Sequence, residues 1–140
     1  MLCYGFRIEW DDSEYPEEWT QVYPEFMDEY KFRDWAISQF NYKLPEWRQY
    51  DKPEDYYNKQ ESIYDDIGVE LVKYRSAKGT IAILAARGSV IHADDDAEEV
   101  DIYKLSMQSA LFDQRIKHFC SRLKIPVKEL HWFICPSYSD

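Results

Sequence analysis

Two apolar runs around a short turn constrain the fold of this chain more than any other feature. The first run is residues 69–76, the sequence Ala77-Lys78-Gly79 supplies the turn, and the second run is residues 80–86. Such a pair predicts a β-hairpin. The second run is apolar at successive positions, which is typical of a central strand covered on both faces. Arg87-Gly88-Ser89 then predicts a bulge or a tight bend.

The N-terminal part predicts one strand and one helix. Residues 3–10 alternate with a period of two, so Tyr4, Phe6, Ile8 and Trp10 share one face of a strand. Pro24 suits the first turn of a helix, where no N–H is needed, and a helix is predicted from about 24 to 40. Its apolar face is predicted to consist of Phe26, Met27, Tyr30, Ile37 and Phe40.

The C-terminal part predicts a second helix and a last strand. Apolar residues recur at helical spacing from about 104 to 124, and Pro126 lies just beyond. Residues 127–134 then indicate a strand, with Leu130, Trp132 and Ile134 on one face. The apolar stripe of the helix is predicted to consist of Leu105, Phe112, Ile116, Phe119 and Leu123.

Residues 41–66 predict an acidic, aromatic-rich insertion between the first helix and the hairpin. Asp51, Pro53 and Glu54 have the spacing of a helix start with Asp51 as the N-cap, so a short helix is predicted from about 52 to 65. We expect surface tyrosines, more than core contacts, to hold this helix.

The order of elements is β-α-[α]-β-β-α-β, which predicts a single α+β domain over residues 1–140. We expect one antiparallel sheet of about four strands, two main helices and the short inserted helix. The order fits a ferredoxin-like sandwich, and a different α+β arrangement fits it equally well.

The charge of the chain is concentrated in its first half. Residues 1–66 hold 17 Asp and Glu against 7 Lys and Arg, whereas residues 67–140 hold 10 of each. The first half also contains 17 of the 24 aromatic residues. Phosphates would repel such a surface, so no direct nucleic-acid binding is expected. An acidic surface suits a protein partner with a basic surface, or serves only solubility.

These features lead to a hypothesis of partner binding through the insertion. Tyr and Trp are enriched at protein interfaces, and carboxylates around them would steer a basic partner. Small acidic proteins of this physical character act as nuclease inhibitors or immunity proteins. The alternative is that the tyrosines lie flat on the domain and cover the open face of the sheet. The proposed anchors are Trp47, Tyr50, Tyr56 and Tyr57, and the proposed charges are Asp51, Glu54, Asp55, Asp65 and Asp66.

Two other functions fit the sequence. A small enzyme could place a polar site where the Arg87-Gly88 break meets His92 and the acidic residues 94–99. The chain could also be an accessory protein of metabolism whose acidity only keeps it dissolved.

The sequence assigns no catalytic residue, no metal site and no cofactor. His118 and Cys120 are two apart on a predicted helix and point about 200° apart, so they cannot share one ion. The glycine-rich phosphate-binding motifs are missing from the sequence.

The sequence also predicts a cytoplasmic protein. An odd number of widely spaced cysteines, Cys3, Cys120 and Cys135, predicts reduced thiols. No secretory signal or membrane-spanning apolar run is recognised in the sequence.

Overall fold

Three α-helices and four β-strands make up the regular structure in the described part of the chain. The computed structural model describes residues 1–8, 29–40, 42, 46–76, 79–93 and 99–135. The strands are β1 (Leu2–Ile8), β2 (Val69–Ser76), β3 (Gly79–Ala86) and β4 (His131–Ile134). The helices are α1 (Glu29–Gln39), α2 (Pro53–Ile67) and α3 (Ile102–Leu123), with a 3-10 helix at Trp47–Gln49.

The strands form one antiparallel sheet in the order β2-β3-β1-β4. The β2–β3 hairpin runs in register from Val69 opposite Ala86 to Ser76 opposite Gly79. On its other side β3 pairs with β1, and β1 pairs with β4. The predicted α+β class with one antiparallel four-stranded sheet is therefore confirmed. The ferredoxin-like arrangement stays a prediction.

The helices cover one face of the sheet. Tyr4, Phe6 and Ile8 belong to the core cluster on that face, as the alternation in β1 predicts, whereas Trp10 lies outside the described residues. All three helices contribute side chains to the same cluster. Burying a large apolar side chain contributes about 1.5–3 kcal/mol. The large side chains with almost no exposure include Phe6, Ile8, Phe32, Leu84, Ile116 and Phe119.

The central strand β3 is buried on both faces. Leu84 packs under the helices, and Ile83 and Ala85 belong to a second cluster on the opposite face. Val72 of β2, Cys3 of β1 and Cys135 after β4 complete that second cluster. The apolar sequence of β3 is explained by these two clusters, because neither face of the strand meets water.

Helix α1 buries part of the predicted face, since Ile37 is buried and Phe40 packs against the core. Its buried residues are Phe32, Ala36 and Ile37, whereas Tyr30 is 69 % exposed. Tyr30 and Phe32 lie two positions apart and so project about 200° apart on a helix. Only one of them can face the sheet. The predicted position of Tyr30 on the apolar face is wrong, and Phe26 and Met27 lie outside the described residues.

Helix α3 and strand β4 follow the sequence pattern closely. Phe112, Ile116 and Phe119 are buried, and Leu105 and Leu123 are partly buried, so the predicted stripe is confirmed. The Asp101 side chain caps the helix by accepting a hydrogen bond from the Lys104 N–H at 3.1 Å. Strand β4 is shorter than predicted, because only residues 131–134 pair with β1.

Helix α2 is anchored more deeply than the sequence predicts. Gln60, Ile63, Tyr64 and Ile67 are buried, so core contacts hold its C-terminal half. The helix ends at Gly68, whose φ of +83° is the left-handed conformation that glycine adopts readily. The expectation that surface tyrosines hold this helix is therefore wrong for its second half.

Candidate functional site

Three tyrosines form a continuous aromatic surface at the start of α2. The Tyr50 and Tyr56 rings lie 5.7 Å apart with an interplanar angle of 72°, and the Tyr56 and Tyr57 rings lie 5.6 Å apart at 70°. Tyr50 and Tyr56 are half-buried and Tyr57 is 60 % exposed. Edge-to-face contacts of this kind hold aromatic rings in fixed positions. The three rings thus offer rigid, accessible apolar area.

Three exposed carboxylates lie between or next to these tyrosines in the sequence. Asp51 precedes the helix, and Glu54 and Asp55 lie in its first turn. None of the three forms an ion pair or a side-chain hydrogen bond with another described residue. We call the six residues Tyr50, Asp51, Glu54, Asp55, Tyr56 and Tyr57 the acidic tyrosine surface.

Local sequence explains why α2 begins here. Pro53 occupies the first turn, and Lys52 is the N-cap with φ of −124° and ψ of 135°. The Asp55 N–H donates to the Lys52 carbonyl at 3.1 Å, but no side chain caps the helix. The predicted N-cap at Asp51 is therefore wrong by one residue. Glu54 and Asp55 stabilise the helix start through its macrodipole, a role that leaves their carboxylates free to bind.

Two of the other predicted partner-binding residues, Asp65 and Asp66, lie away from this surface. Trp47 belongs to the 3-10 helix, and its side chain lies outside the described residues. Asp65 and Asp66 are exposed at the far end of α2, about 15 Å from Asp55 at 1.5 Å of rise per residue. The structure therefore brings together six of the nine predicted residues and separates two of them from the tyrosines.

Asp65 is held by an intramolecular network around Arg87. The Arg87 Nε donates to Asp65 at 3.0 Å and its Nη2 donates to Glu61 at 2.8 Å. Its Nη1 lies 3.3 Å from Glu70, and the guanidinium stacks 4.5 Å from the centroid of the Tyr64 ring. One guanidinium thus faces three carboxylates and one aromatic ring. A partner would have to compete with Arg87 for Asp65.

Burial and charge shift the pKa values in this network in opposite senses. Burial raises the pKa of Glu70 above 4.5, and the neighbouring Arg87 opposes that shift. Burial alone would lower the pKa of Arg87, but hydrogen bonds to Asp65 and Glu61 raise it overall. Arg87 therefore stays charged, and Glu70 is the member of the network that is costly to ionise.

The turn that follows β3 positions Arg87. The Ser89 N–H donates to the Ala86 carbonyl at 3.1 Å, and Gly88 has a φ of +88°, as in a type II turn. The Arg87 carbonyl accepts from Arg115 Nη1 of α3 at 2.8 Å. The predicted tight bend is confirmed. The Arg87 side chain bonds the bend to α2, and the Arg87 carbonyl bonds it to α3. The Arg87 guanidinium is therefore occupied by contacts within the protein.

The structure describes only part of the region of the alternative enzyme site. Arg87 is engaged as described, His92 is exposed, and residues 94–98 lie outside the described part. Within the described residues no group of three or more His, Cys, Asp or Glu side chains could hold a metal ion. Burial raises the pKa of Cys3 and of Cys120 to about 12, so both thiols are protonated at neutral pH.

Comparisons with protein-family models, curated proteins and solved structures found no match for this chain. A search of the described residues found no helix with the length and hydropathy needed to cross a membrane. The site must therefore be interpreted from its own geometry.

Proposed function

We propose that this protein binds a partner protein through the acidic tyrosine surface, and that the partner has a basic, nucleic-acid-binding surface. The observation that carries the proposal is the contact of three tyrosine rings, two half-buried and one exposed, beside three exposed carboxylates that pair with no other described residue at the start of α2. The dipole of α2 accounts for Glu54 and Asp55 but not for the rings, since a helix start needs no aromatic surface.

The chemistry of the surface favours a basic protein as its partner. Residues 50–57, which contain the acidic tyrosine surface, hold three Asp and Glu against one Lys, a net charge of −2. This charge repels phosphates and accelerates association with a cationic surface. Tyrosines bury large area at a small entropic cost, so they are suited to supply the affinity. Occupying the basic surface of a nucleic-acid-binding protein would block its substrate, which is how an inhibitor or an immunity-type protein acts.

A reducing compartment such as the cytoplasm suits the three cysteines. Cys3, Cys120 and Cys135 are all free thiols. Free thiols persist where glutathione and thioredoxin keep them reduced.

Affinity capture from the source cell tests the proposal. Wild-type protein is immobilised beside a Tyr56→Ala/Tyr57→Ala variant, and retained proteins are quantified by mass spectrometry. If each tyrosine contributes more than 1 kcal/mol to the binding free energy, the variant should retain at least tenfold less of the partner. Tyr103→Ala, which removes an exposed tyrosine from α3, is the matched control and should retain the partner fully. Equal retention by all three proteins, or none at low salt, would reject the proposal.

A second pair of variants tests the role of charge. Glu54→Gln/Asp55→Asn removes two carboxylates from the acidic tyrosine surface, and Glu99→Gln/Glu129→Gln removes two exposed carboxylates elsewhere. We expect the first variant to bind the captured partner more slowly and with a weaker salt dependence, while the second changes little. Wild-type protein should also displace nucleic acid from the captured partner, and displacement that fails would refute the inhibitory role.

A further inference from the structure

Within the described residues, strand β4 lies at one edge of the sheet. Its only strand neighbour in the described part is β1. Met1 and Cys135 exchange both backbone hydrogen bonds, at 3.1 and 2.7 Å, so they form a hydrogen-bonded pair. Such pairs alternate along an antiparallel ladder, which makes Cys3 and Phe133 the next one. Trp132 and Ile134 therefore direct their backbone N–H and C=O groups away from β1.

Apolar side chains surround this edge. Ile134 is 87 % exposed and Ile102, at the start of α3, is 79 % exposed. Between them lies an apolar cavity of about 500 Å³, whose walls include Leu2, Leu105 and Trp132. Clustered exposed apolar residues mark interaction surfaces more often than isolated ones do.

Two of the polar side chains that line the cavity, Trp132 and Ser109, are hydrogen-bonded to their neighbours. The Trp132 Nε1–H donates to the Ser109 Oγ at 3.2 Å, and the Ser109 hydroxyl donates to the Leu105 carbonyl at 3.1 Å. The walls therefore present mostly carbon atoms, and the Ser106 hydroxyl is a further polar group among them. A partner strand that carries an apolar side chain could pair with the edge of β4 and place that side chain in the cavity.

Charge favours a second copy of this chain as the occupant. A twofold interface brings each patch against itself, so a charged patch would repel its copy. Residues 102–112 contain one charged side chain, Lys104, in a chain that is 31 % charged. The acidic tyrosine surface, by contrast, is unsuited to self-association. The four residues of β4 contain no Asp, Glu, Lys or Arg, so charge does not prevent two copies from sharing this surface.

We propose that two copies associate by antiparallel pairing of their β4 strands across a twofold axis at Phe133. This register places Trp132 opposite Ile134 of the second copy, and each such pair exchanges both backbone hydrogen bonds through the groups that point outward. Residues opposite each other share a face of the sheet. Ile134 therefore lies beside the Trp132 of the other copy, at the mouth of its cavity.

The proposed dimer leaves the acidic tyrosine surface accessible. Helix α2 packs against β2, which is the opposite edge of the sheet from β4. Each dimer would present two such surfaces on its outer sides. Self-association and partner binding are therefore separate properties and can fail independently.

Sedimentation equilibrium over a wide concentration range tests the dimer. We expect the wild type to reach twice the chain mass, and Ile134→Lys to weaken association at least tenfold, because a charged side chain on an edge strand opposes pairing. Ile134 is exposed, so this variant should fold normally. Tyr57→Lys makes the same charge change at the far edge and should associate like the wild type. A wild type that stays monomeric, or an Ile134→Lys variant that dimerises equally well, would overturn the proposal.

Amide hydrogen exchange tests the register. The Trp132 and Ile134 amides should exchange more slowly as the wild type is concentrated, whereas the Phe133 amide, bonded to β1, should be protected at every concentration. Dimers whose Trp132 and Ile134 amides stay unprotected would exclude β4 pairing. Saturable binding of the dye ANS to a monomeric wild type would instead assign the cavity to a small apolar ligand and would also overturn the proposal.

Discussion

Arg87 holds three carboxylates together, and its removal would leave them facing one another. Asp65 and Glu61 are more than half exposed, but Glu70 is only 22 % exposed, so most of the penalty comes from Glu70. Breaking a fully buried ion pair costs about 3–5 kcal/mol, and exposed pairs contribute much less. We expect Arg87→Ala to lower the free energy of unfolding by about 2 kcal/mol, measured by urea denaturation at neutral pH.

The pH dependence of Glu70 gives an independent check on this network. Burial raises the pKa of Glu70 above 4.5, so the folded state binds its proton more tightly than the unfolded state does. The stability that Glu70 contributes is therefore fully present below pH 4.5 and is lost as pH rises through its folded pKa. As pH rises through the folded pKa of Glu70, Glu70→Gln should become more stable relative to the wild type. Added to Arg87→Ala, it should restore part of the free energy of unfolding that this variant loses. A stability difference that stays constant with pH would contradict this account.

Single residues also show where sequence analysis stops. The tyrosines and carboxylates of the acidic tyrosine surface lie within eight positions of the chain, so local spacing alone brings them together. Asp65 and Arg87 are 22 positions apart, and only the packing of α2 against the turn after β3 makes them partners. No local pattern distinguishes Asp65, which is paired, from Asp66. Asp65 and Asp66 are both assigned to the predicted partner-binding site because of their charge alone.

Helix α2 lacks a side-chain cap, and a single substitution can supply one. Lys52 is the N-cap with extended backbone angles and no side-chain cap hydrogen bond. A serine there could accept from the backbone N–H of the second or third helical residue, a bond that contributes about 0.5–2 kcal/mol. We expect Lys52→Ser to raise the free energy of unfolding by about 1 kcal/mol, measured by urea denaturation.

Asp51→Ala is the matched test of the position of this cap. If Asp51 capped the helix, its loss would cost about 1 kcal/mol. The structure places Asp51 one residue before the cap, so we expect less than about 0.5 kcal/mol, from the weaker interaction with the helix dipole. If Asp51→Ala lowered the free energy of unfolding by about 1 kcal/mol and Lys52→Ser did not raise it, Asp51 would be the N-cap residue.

The buried face of a helix could be predicted where its apolar residues fit one stripe, and not where they spread around the helix. The apolar residues of α3 fit a single stripe, so its buried face could be read from spacing. Helix α1 carries aromatic residues at Tyr30, Phe32 and Trp35, which spread around the helix. The small Ala36 lies one turn from Phe32 and is fully buried, so packing selects that side. Contacts of this kind come from the assembled core and not from local periodicity.

Across the whole molecule, buried thiols and phenols predict a steep loss of stability in alkali. Burial raises the pKa of Cys3 and Cys120 from 9.0 to about 12, and burial together with a hydrogen bond to Asp113 raises the pKa of Tyr4 from 10.0 to about 12. Between these values the unfolded state loses protons that the folded state retains. The free energy of unfolding therefore falls as pH rises, by about 1.4 kcal/mol per pH unit for each such group.

Urea denaturation at several pH values between 8 and 11 would measure this slope, with the reference pKa values of 9.0 and 10.0 setting its onset. Cys120→Ala removes one of the groups and should reduce the slope by about 1.4 kcal/mol per pH unit above pH 10, even though it lowers stability at pH 8. Ile116→Val, at another fully buried position of α3, is the matched control. It should lower stability equally at every pH, because it removes no proton. If both variants kept the wild-type slope, Cys120 would not be a buried thiol that resists ionisation, and the alkaline loss would have to arise from other groups, such as Cys3 and Tyr4.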